Sequence, residues 1–161
     1  MKKASVALLA ALSAVCWLTD WPVSHPVAFC LGVCLPAALV QPPASALLLA
    51  KGWAACYAVA LALGQTLTSW RPAAWAAMFA LLFVGPAGVD VTRAEDTEEI
   101  LRGRRRDAAA LALLAAVAGS YVGCFVAPLD WDRAWQLFPA PSLRLALPLA
   151  LLAHLVAPHL H

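Results

Sequence analysis

Long apolar runs with very few charges are the feature that most constrains how this chain folds. Of its 161 residues, 63% are hydrophobic and only 12% are charged. Soluble globular domains carry about 25% charged residues, so this chain has too little polar surface to enclose itself in water. The same apolar content excludes a disordered chain. We therefore expect an integral membrane protein with lipid as its main solvent.

Six apolar runs approach the about 17 to 25 residues that a helix needs to cross a bilayer. We predict an all-α, polytopic protein, a single integral membrane domain over residues 1–161 with no soluble domain. The first run follows Lys2 and Lys3 and also resembles a secretory signal, but Cys16 and Trp17 make a poor cleavage context, so we expect a retained helix. The predicted helices span residues 4–19, 26–41, 47–68, 72–89, 108–128 and 140–157.

Most of the charge lies in one loop, residues 90–107, between the fourth and fifth predicted helices. Within it, Glu95, Glu98, Glu99 and Arg102 have the spacing of side chains that pair on one helix face. We predict a short, solvated surface helix in this loop.

Basic residues are sorted between the two ends of the predicted bundle. Six crossings place eight of them on one side, and Arg71, Arg133 and Arg144 on the other. Because Lys and Arg favour the cytoplasmic side, we expect both termini in the cytoplasm and the turn at residues 128–139 in the opposite compartment. The eight residues are Lys2, Lys3, Lys51, Arg93, Arg102, Arg104, Arg105 and Arg106.

Neither the net charge nor the reactive side chains point to nucleic acid, metal or cofactor. The net charge is only +2. The five cysteines lie inside apolar runs, where small packing residues are expected, and their odd number is no disulfide framework. The four histidines show no usual zinc spacing. We expect no metal, no cofactor and no nucleic-acid partner.

The stretch from Gly119 to Pro139 carries the strongest pattern in the chain. Gly119 and Gly123 have i, i+4 spacing and therefore leave one face of a helix without side chains. In lipid, such a face allows another helix to approach to backbone contact. Pro128 and Pro139 bracket a short turn, and the tryptophans within it suit the membrane interface. Judged from its composition alone, this turn would be interpreted as an amphipathic connector between two helices. The turn reads Pro128-Leu129-Asp130-Trp131-Asp132-Arg133-Ala134-Trp135-Gln136-Leu137-Phe138-Pro139.

This stretch resembles the C-terminal signature of the PIG-F family, small multispanning proteins of glycosylphosphatidylinositol (GPI) anchor synthesis. The family pattern of two spaced glycines, then Pro-Leu-Asp-Trp-acidic-Arg-x-Trp-Gln-x-x-Pro, is met without a gap from Gly119 to Pro139. Phe83-Val84-Gly85-Pro86 resembles the end of the family's fourth helix. The chain departs from the family in a shorter loop between helices two and three, and in Arg144, which we interpret as structural because it can snorkel to the interface.

The resemblance implies a non-catalytic subunit that stabilises the large GPI ethanolamine-phosphate transferases in the endoplasmic reticulum membrane. Membrane lipids would be its other contacts, and the turn at residues 128–139 would be lumenal. We expect the small-residue face of the fifth predicted helix to dock on membrane helices of the transferase. The residues implied to bind the partner or lipid are Gly119, Gly123, Pro128, Asp130, Trp131, Arg133, Trp135, Gln136 and Pro139.

Two other functions remain open at the level of sequence. An independent enzyme would need a nucleophile and a metal cluster, and Asp130 and Asp132 beside Arg133 make a poor cation site, so we expect no catalytic residue. A small lipid transporter or scramblase would need polar groups within the membrane. The nearest candidates are Gln65, Arg144 and His154, with Pro36 and Pro148 as helix-breaking residues.

Overall fold

The computed structural model describes residues 2–19, 25–40, 44–62, 65, 69–104, 107–124 and 140–159. Its regular secondary structure within these ranges is entirely helical, so the prediction of an all-α fold is confirmed. Residues 125–139, which hold most of the signature, lie outside the described residues.

Seven helices are described, and each of the six predicted apolar segments contains one of them. The described part of the third helix ends at Ala62, and that of the helix within the fifth predicted segment ends at Cys124; residues 63–64, 66–68 and 125–128 lie outside the described residues. The fourth continues through a π-helical stretch, Ala80–Val84, into a final α-turn, Gly85–Ala87, and the seventh is followed by a 3₁₀ turn, Ala157–His159. The helices are α1 (Lys2–Leu18), α2 (Pro26–Val40), α3 (Ala46–Ala62), α4 (Trp70–Phe79), α5 (Ala94–Leu101), α6 (Ala108–Cys124) and α7 (Ala140–Val156).

One stretch among the described residues is long and apolar enough to cross a membrane, namely Ala140–His159 with 20 residues. The other apolar helices have 17 residues or fewer, which is at or below the length of an untilted crossing helix. The six crossings therefore remain a prediction.

The helices pack as two groups that share a core. In one group α7 lies between α1 and α6, and its contact with α6 is the most extensive in the bundle. In the other group α4 lies between α2 and α3, and its π-helical continuation touches α6. The largest fully buried side chains include Phe29, Met78, Phe83, Leu143 and Leu147.

The π-helical stretch lies where Pro86 interrupts the hydrogen-bond ladder of the fourth helix. Proline has no N–H and its ring clashes with the carbonyl of the residue four positions before it. The Gly85 N–H donates to the Ala80 carbonyl, five residues back, so the helix is locally wider just before the proline. Gly85 also lacks the Cβ that would clash with the proline ring. The Gly-Pro pair thus lets this helix continue to Ala87.

The charged loop and the start of α3 lie at the same end of the bundle. Lys51 Nζ of α3 is 2.5 Å from Asp90 Oδ2, and Arg93 Nε is 3.5 Å from the same oxygen. Within the loop, α5 is the predicted surface helix, and Arg102 pairs with Glu98 one turn earlier. Lys51, Arg93 and Arg102 therefore lie at one end of the bundle, while the sorting of all eight basic residues and the orientation in a membrane stay predictions.

Candidate functional site

The structure describes two of the nine predicted site residues, Gly119 and Gly123 in the second half of α6. The other seven lie in the range 125–139, outside the described residues, and their roles stay predictions. They are Pro128, Asp130, Trp131, Arg133, Trp135, Gln136 and Pro139.

Both glycines are buried against the backbone of α7. A Cβ placed on Gly119 would lie 2.8 Å from the Ala146 nitrogen, and one placed on Gly123 would lie 2.7 Å from the Pro141 carbonyl oxygen. Contacts this short with backbone atoms leave no room for any side chain. The prediction that the glycines bring two helices into backbone contact is therefore correct. We call this contact between α6 and α7 the glycine seam.

The helix that fills this face belongs to the same chain, which corrects the expected docking surface. A helix of a partner protein could reach Gly119 and Gly123 only by displacing α7. The sequence revealed that one face of α6 is cleared for close packing. It did not reveal which helix packs there, because internal and external helix partners require the same small residues.

Polar side chains join the two helices beside the glycines. Ser142 of α7 is almost fully buried and donates from Oγ to the Ser120 carbonyl at 3.3 Å. Its Oγ also lies 3.4 Å from Cys124 Sγ. Hydrogen bonds between helices add modestly to packing in lipid. We call the turn at residues 128–139 the signature turn. The seam thus holds in place Cys124 and Ala140, the nearest described residues on either side of it.

Arg144 connects α7 to the end of α1. Its Nε donates to the Cys16 carbonyl at 3.0 Å, and Trp17 Nε1 donates back to the Arg144 carbonyl at 2.9 Å. The guanidinium carbon also lies 6.0 Å from the centre of the Trp17 ring. Carbonyls in the last turn of a helix lack partners within that helix. Arg144 therefore has a structural role in capping α1, which the sequence could not specify because α1 is over 120 residues away.

The polar groups considered for transport do not form one cluster. Arg144 lies near the start of α7 and His154 near its end, which separates them by about 15 Å along the helix axis. Gln65 follows α3, and its backbone N–H donates to the Ala60 carbonyl. Among the described residues, no three His, Cys, Asp or Glu side chains are grouped to hold a metal ion.

An apolar groove of about 450 Å³ runs between α3 and α6, on the side of α6 away from the glycine seam. Residues of α4 and its continuation form the back of this groove, which we call the α3–α6 groove. The apolar side of α5 closes it at the charged end of the bundle. Its walls include Cys56 and Val59 of α3, Trp75 and Phe79 of α4, Ile100 of α5, and Leu113, Val117 and Ser120 of α6.

The sequence does not indicate this groove, because α6 is apolar all round and no face of it is set apart for a special contact. The one available signal is that Leu113, Val117, Ser120, Tyr121 and Cys124 recur at helical spacing and form a single stripe. That stripe includes the polar side chain of Ser120. A stripe of this kind is also typical of an ordinary packing face.

Comparison with known proteins identifies the family. The sequence profile of the GPI biosynthesis protein family Pig-F matches residues 3–144. A stretch of 30 residues is 54% identical to glycosylphosphatidylinositol anchor biosynthesis protein 11 of Kluyveromyces lactis. That stretch covers 19% of this chain and only 14% of the Kluyveromyces protein. No solved structure matches the chain. Because the profile extends over most of the sequence, from α1 into α7, the chain belongs to the GPI biosynthesis protein family Pig-F.

Proposed function

We propose that this protein is a non-catalytic membrane subunit that stabilises the GPI ethanolamine-phosphate transferase complexes. The match of the family profile to residues 3–144 carries the proposal, because it supports a role in GPI-anchor biosynthesis for nearly the whole chain. In this proposal the large partner supplies the catalytic residues. The small subunit supplies helices that the partner needs in the endoplasmic reticulum membrane.

The distribution of apolar side chains supports burial of the bundle in a membrane with six crossings. Large apolar residues are exposed on α1, α2, α3, α6 and α7 rather than collected in one patch. A lipid environment accounts for exposure on so many helices, whereas a soluble monomer exposes only limited patches. Trp17, Leu35, Val59, Val122 and Leu155 are examples.

Contacts made by α1 support its retention as a membrane helix. Leu9, Leu12 and Cys16 are buried in the core, and the end of α1 is bound by Arg144. Loss of this helix would expose those core contacts on α7. We therefore include α1 in the subunit, with both termini in the cytoplasm.

The proposed docking surface is the signature turn rather than the glycine face. The described residues on either side of it, Cys124 of α6 and Ala140 of α7, are the ends of the two helices that the glycine seam joins. Trp131 and Trp135 suit the membrane interface, and Asp130 and Arg133 suit hydrogen bonds to a partner or to lipid headgroups. In this proposal Gly119 and Gly123 act indirectly by positioning the two ends of the turn.

Affinity purification of the full chain from native membranes tests the proposal. The wild type should recover a large transferase subunit, and the double variant Trp131→Ala with Trp135→Ala should recover at least tenfold less of it. The matched control is Trp70→Ala, which removes an exposed tryptophan at the start of α4 and should leave recovery unchanged.

Two results would contradict the proposal. One is full recovery of the transferase by the double tryptophan variant at normal expression. The other is a wild-type chain that is stable without a partner and, once purified into vesicles, transfers fluorescent phospholipid between leaflets. That second result would favour the alternative of a small lipid transporter or scramblase.

A further inference from the structure

Arg144 is a cation near the end of the bundle at which α1 ends and α7 begins. It is partly buried and lies about 6 Å along α7 from Ala140. Because α7 runs antiparallel to α6, with Ala146 against Gly119, Arg144 lies about 18 Å along α6 from Ala108. The charged loop, which precedes α6, is therefore at the opposite end of the bundle.

The charge of Arg144 is not balanced by any carboxylate that the structure describes. All of the described acidic side chains belong to the charged loop at residues 90–107. The ion pairs among the described residues are likewise confined to α3 and this loop. In a membrane protein a charged side chain is costly, and it pairs with an opposite charge or with backbone carbonyls. Within the described part of the chain, Arg144 donates to one carbonyl, that of Cys16.

The hydrogen bonds that cap α1 use only part of the guanidinium group. Nε donates to the Cys16 carbonyl, and Trp17 donates to the backbone carbonyl of Arg144 rather than to its side chain. A guanidinium group has five N–H donors, four of them on the two Nη nitrogens. These four donate to no residue that the structure describes. Two such donors in one plane can bind a phosphate group through two parallel hydrogen bonds.

The surroundings of Arg144 hold its side chain in place and leave it accessible. The guanidinium carbon lies 6.0 Å from the centre of the Trp17 ring, and Trp17 is 59% exposed. Tryptophan is typical of the membrane interface, where lipid headgroups begin. Arg144 is itself partly exposed. A phosphate group in the adjoining leaflet can therefore reach a guanidinium group whose orientation is already fixed.

An apolar surface continues from Arg144 along α7. Leu151 and Leu155 follow it at helical spacing on the same side of the helix, and Leu155 is 51% exposed. A cation near the interface with apolar side chains beneath it matches the two parts of a phospholipid. The phosphate contacts the cation, and an acyl chain lies along the helix. Inorganic phosphate would use only the cation.

We propose that Arg144, held by Trp17 and the Cys16 carbonyl, binds the phosphate group of a phospholipid at the end of the bundle where α7 begins. The Nη nitrogens donate to two phosphate oxygens. One acyl chain lies along α7 past Leu151 and Leu155. The bound lipid supplies the negative charge that the described part of the protein does not place beside Arg144.

This proposal goes beyond the subunit role, because it requires a phospholipid but no transferase. Failure of the transferase to co-purify would leave it untouched. Conversely, an Arg144 that binds no lipid would leave the proposed subunit role standing. The two proposals are therefore tested separately.

Native mass spectrometry of the purified, delipidated full chain in detergent tests the site. The chain is titrated with dioleoylphosphatidylglycerol and, separately, with dioleoylglycerol, which has the same acyl chains but no phosphate. The wild type should bind the phospholipid at least tenfold more tightly. Inorganic phosphate at the same concentration should not displace it.

Two substitutions separate the charge of Arg144 from its role in capping α1. In Arg144→Gln, the amide nitrogen is as many bonds from Cα as the arginine Nε, so the donor to the Cys16 carbonyl is kept and the charge is lost. Affinity for the phospholipid should fall at least tenfold, while unfolding in lipid-free detergent stays close to that of the wild type. Arg144→Lys keeps the charge without the planar group, and should retain at least a threefold preference for the phospholipid.

The matched control is Arg71→Gln. Arg71 is also partly exposed, lies in the first turn of α4 and is expected on the same side of the membrane. Its replacement removes an equal charge outside the site at Arg144. Phospholipid affinity should therefore change less than twofold.

Three outcomes would overturn the proposal. In the first, Arg144→Gln binds the phospholipid as tightly as the wild type, or loses no more affinity than Arg71→Gln. In the second, dioleoylglycerol binds as tightly as the phospholipid, so that only the acyl chains are recognised. In the third, inorganic phosphate displaces the phospholipid at equal concentration, so that the site takes a free anion.

Discussion

The two sides of α6 are packed in opposite ways. On the glycine seam, Gly119 and Gly123 let the backbones of α6 and α7 touch, and no space remains. On the other side, Val117 and Tyr121 face a groove that α3 does not fill. Small residues draw helices together in lipid, whereas larger side chains keep them apart. One side of α6 is therefore fully packed against its own chain, whereas the other side lines an open groove.

The largest effect is expected from breaking the glycine seam. Replacing Gly119 and Gly123 together with Leu would force side chains into backbone atoms of α7 that a Cβ alone would approach to 2.7–2.8 Å. Overpacking of this kind should lower the free energy of unfolding by more than about 3 kcal/mol. Unfolding of the detergent-solubilised chain measures it. Val122→Leu on the exposed surface of α6 should change stability by less than about 0.5 kcal/mol. Equal stability of the two variants would mean that α7 does not occupy the glycine face.

The next largest effect on stability should come from Arg144, which connects α7 to the end of α1. Arg144→Met keeps much of the side-chain volume but removes the donor to the Cys16 carbonyl. Loss of a charge-assisted hydrogen bond to a helix end should lower the free energy of unfolding by about 2 kcal/mol. Protease accessibility of α1 in detergent should rise with it. Arg104→Met in the exposed loop is the control, and an equally small effect of both variants would refute the capping role.

A smaller effect is expected from Ser142, whose hydroxyl binds the Ser120 carbonyl beside the glycines. Ser142→Ala should lower the free energy of unfolding by about 1 kcal/mol, since the glycine contacts remain. The same unfolding assay measures this change. A loss as large as that of the double glycine variant would show that hydrogen bonding rather than close packing holds the seam.

The smallest effect on stability is expected from Asp90, in the charged loop at the end of the groove that α5 covers. The hydrogen bond from Lys51, and then that from Thr92, lowers the pKa of Asp90 from its usual 3.8 to about 2. A lowered pKa contributes stability that is present above about pH 4 and lost as the pH falls through about 2. Asp90→Asn should therefore be slightly less stable than the wild type at neutral pH. The difference should shrink between pH 4 and pH 2 in thermal melts. A difference that does not change with pH would contradict the ion pair.

Much of the fold can be predicted from the order of apolar and charged residues along the chain. The apolar runs predict the helices, because only a helix satisfies its own backbone in lipid. The spacing of Glu98 and Arg102 predicts their pairing on α5. The π-helical stretch before Pro86 was not predicted, because a proline late in a helix is compatible with a kink, an end or a local widening.

The candidate site was predicted only in part, for a physical reason. A cleared helix face shows that something packs closely, but the identity of the neighbour is a tertiary property. Gly119 and Gly123 are therefore correct as close-contact residues and wrong as a free docking face. Arg144 and Ser120 depend on contacts across the bundle, which no local pattern encodes.

A cryo-electron microscopy map of the chain purified with its co-purifying partner tests the central claim most directly. We expect the helix in backbone contact with Gly119 and Gly123 to be α7 of the same chain. A transferase helix lying against the two glycines, with α7 displaced, would contradict it.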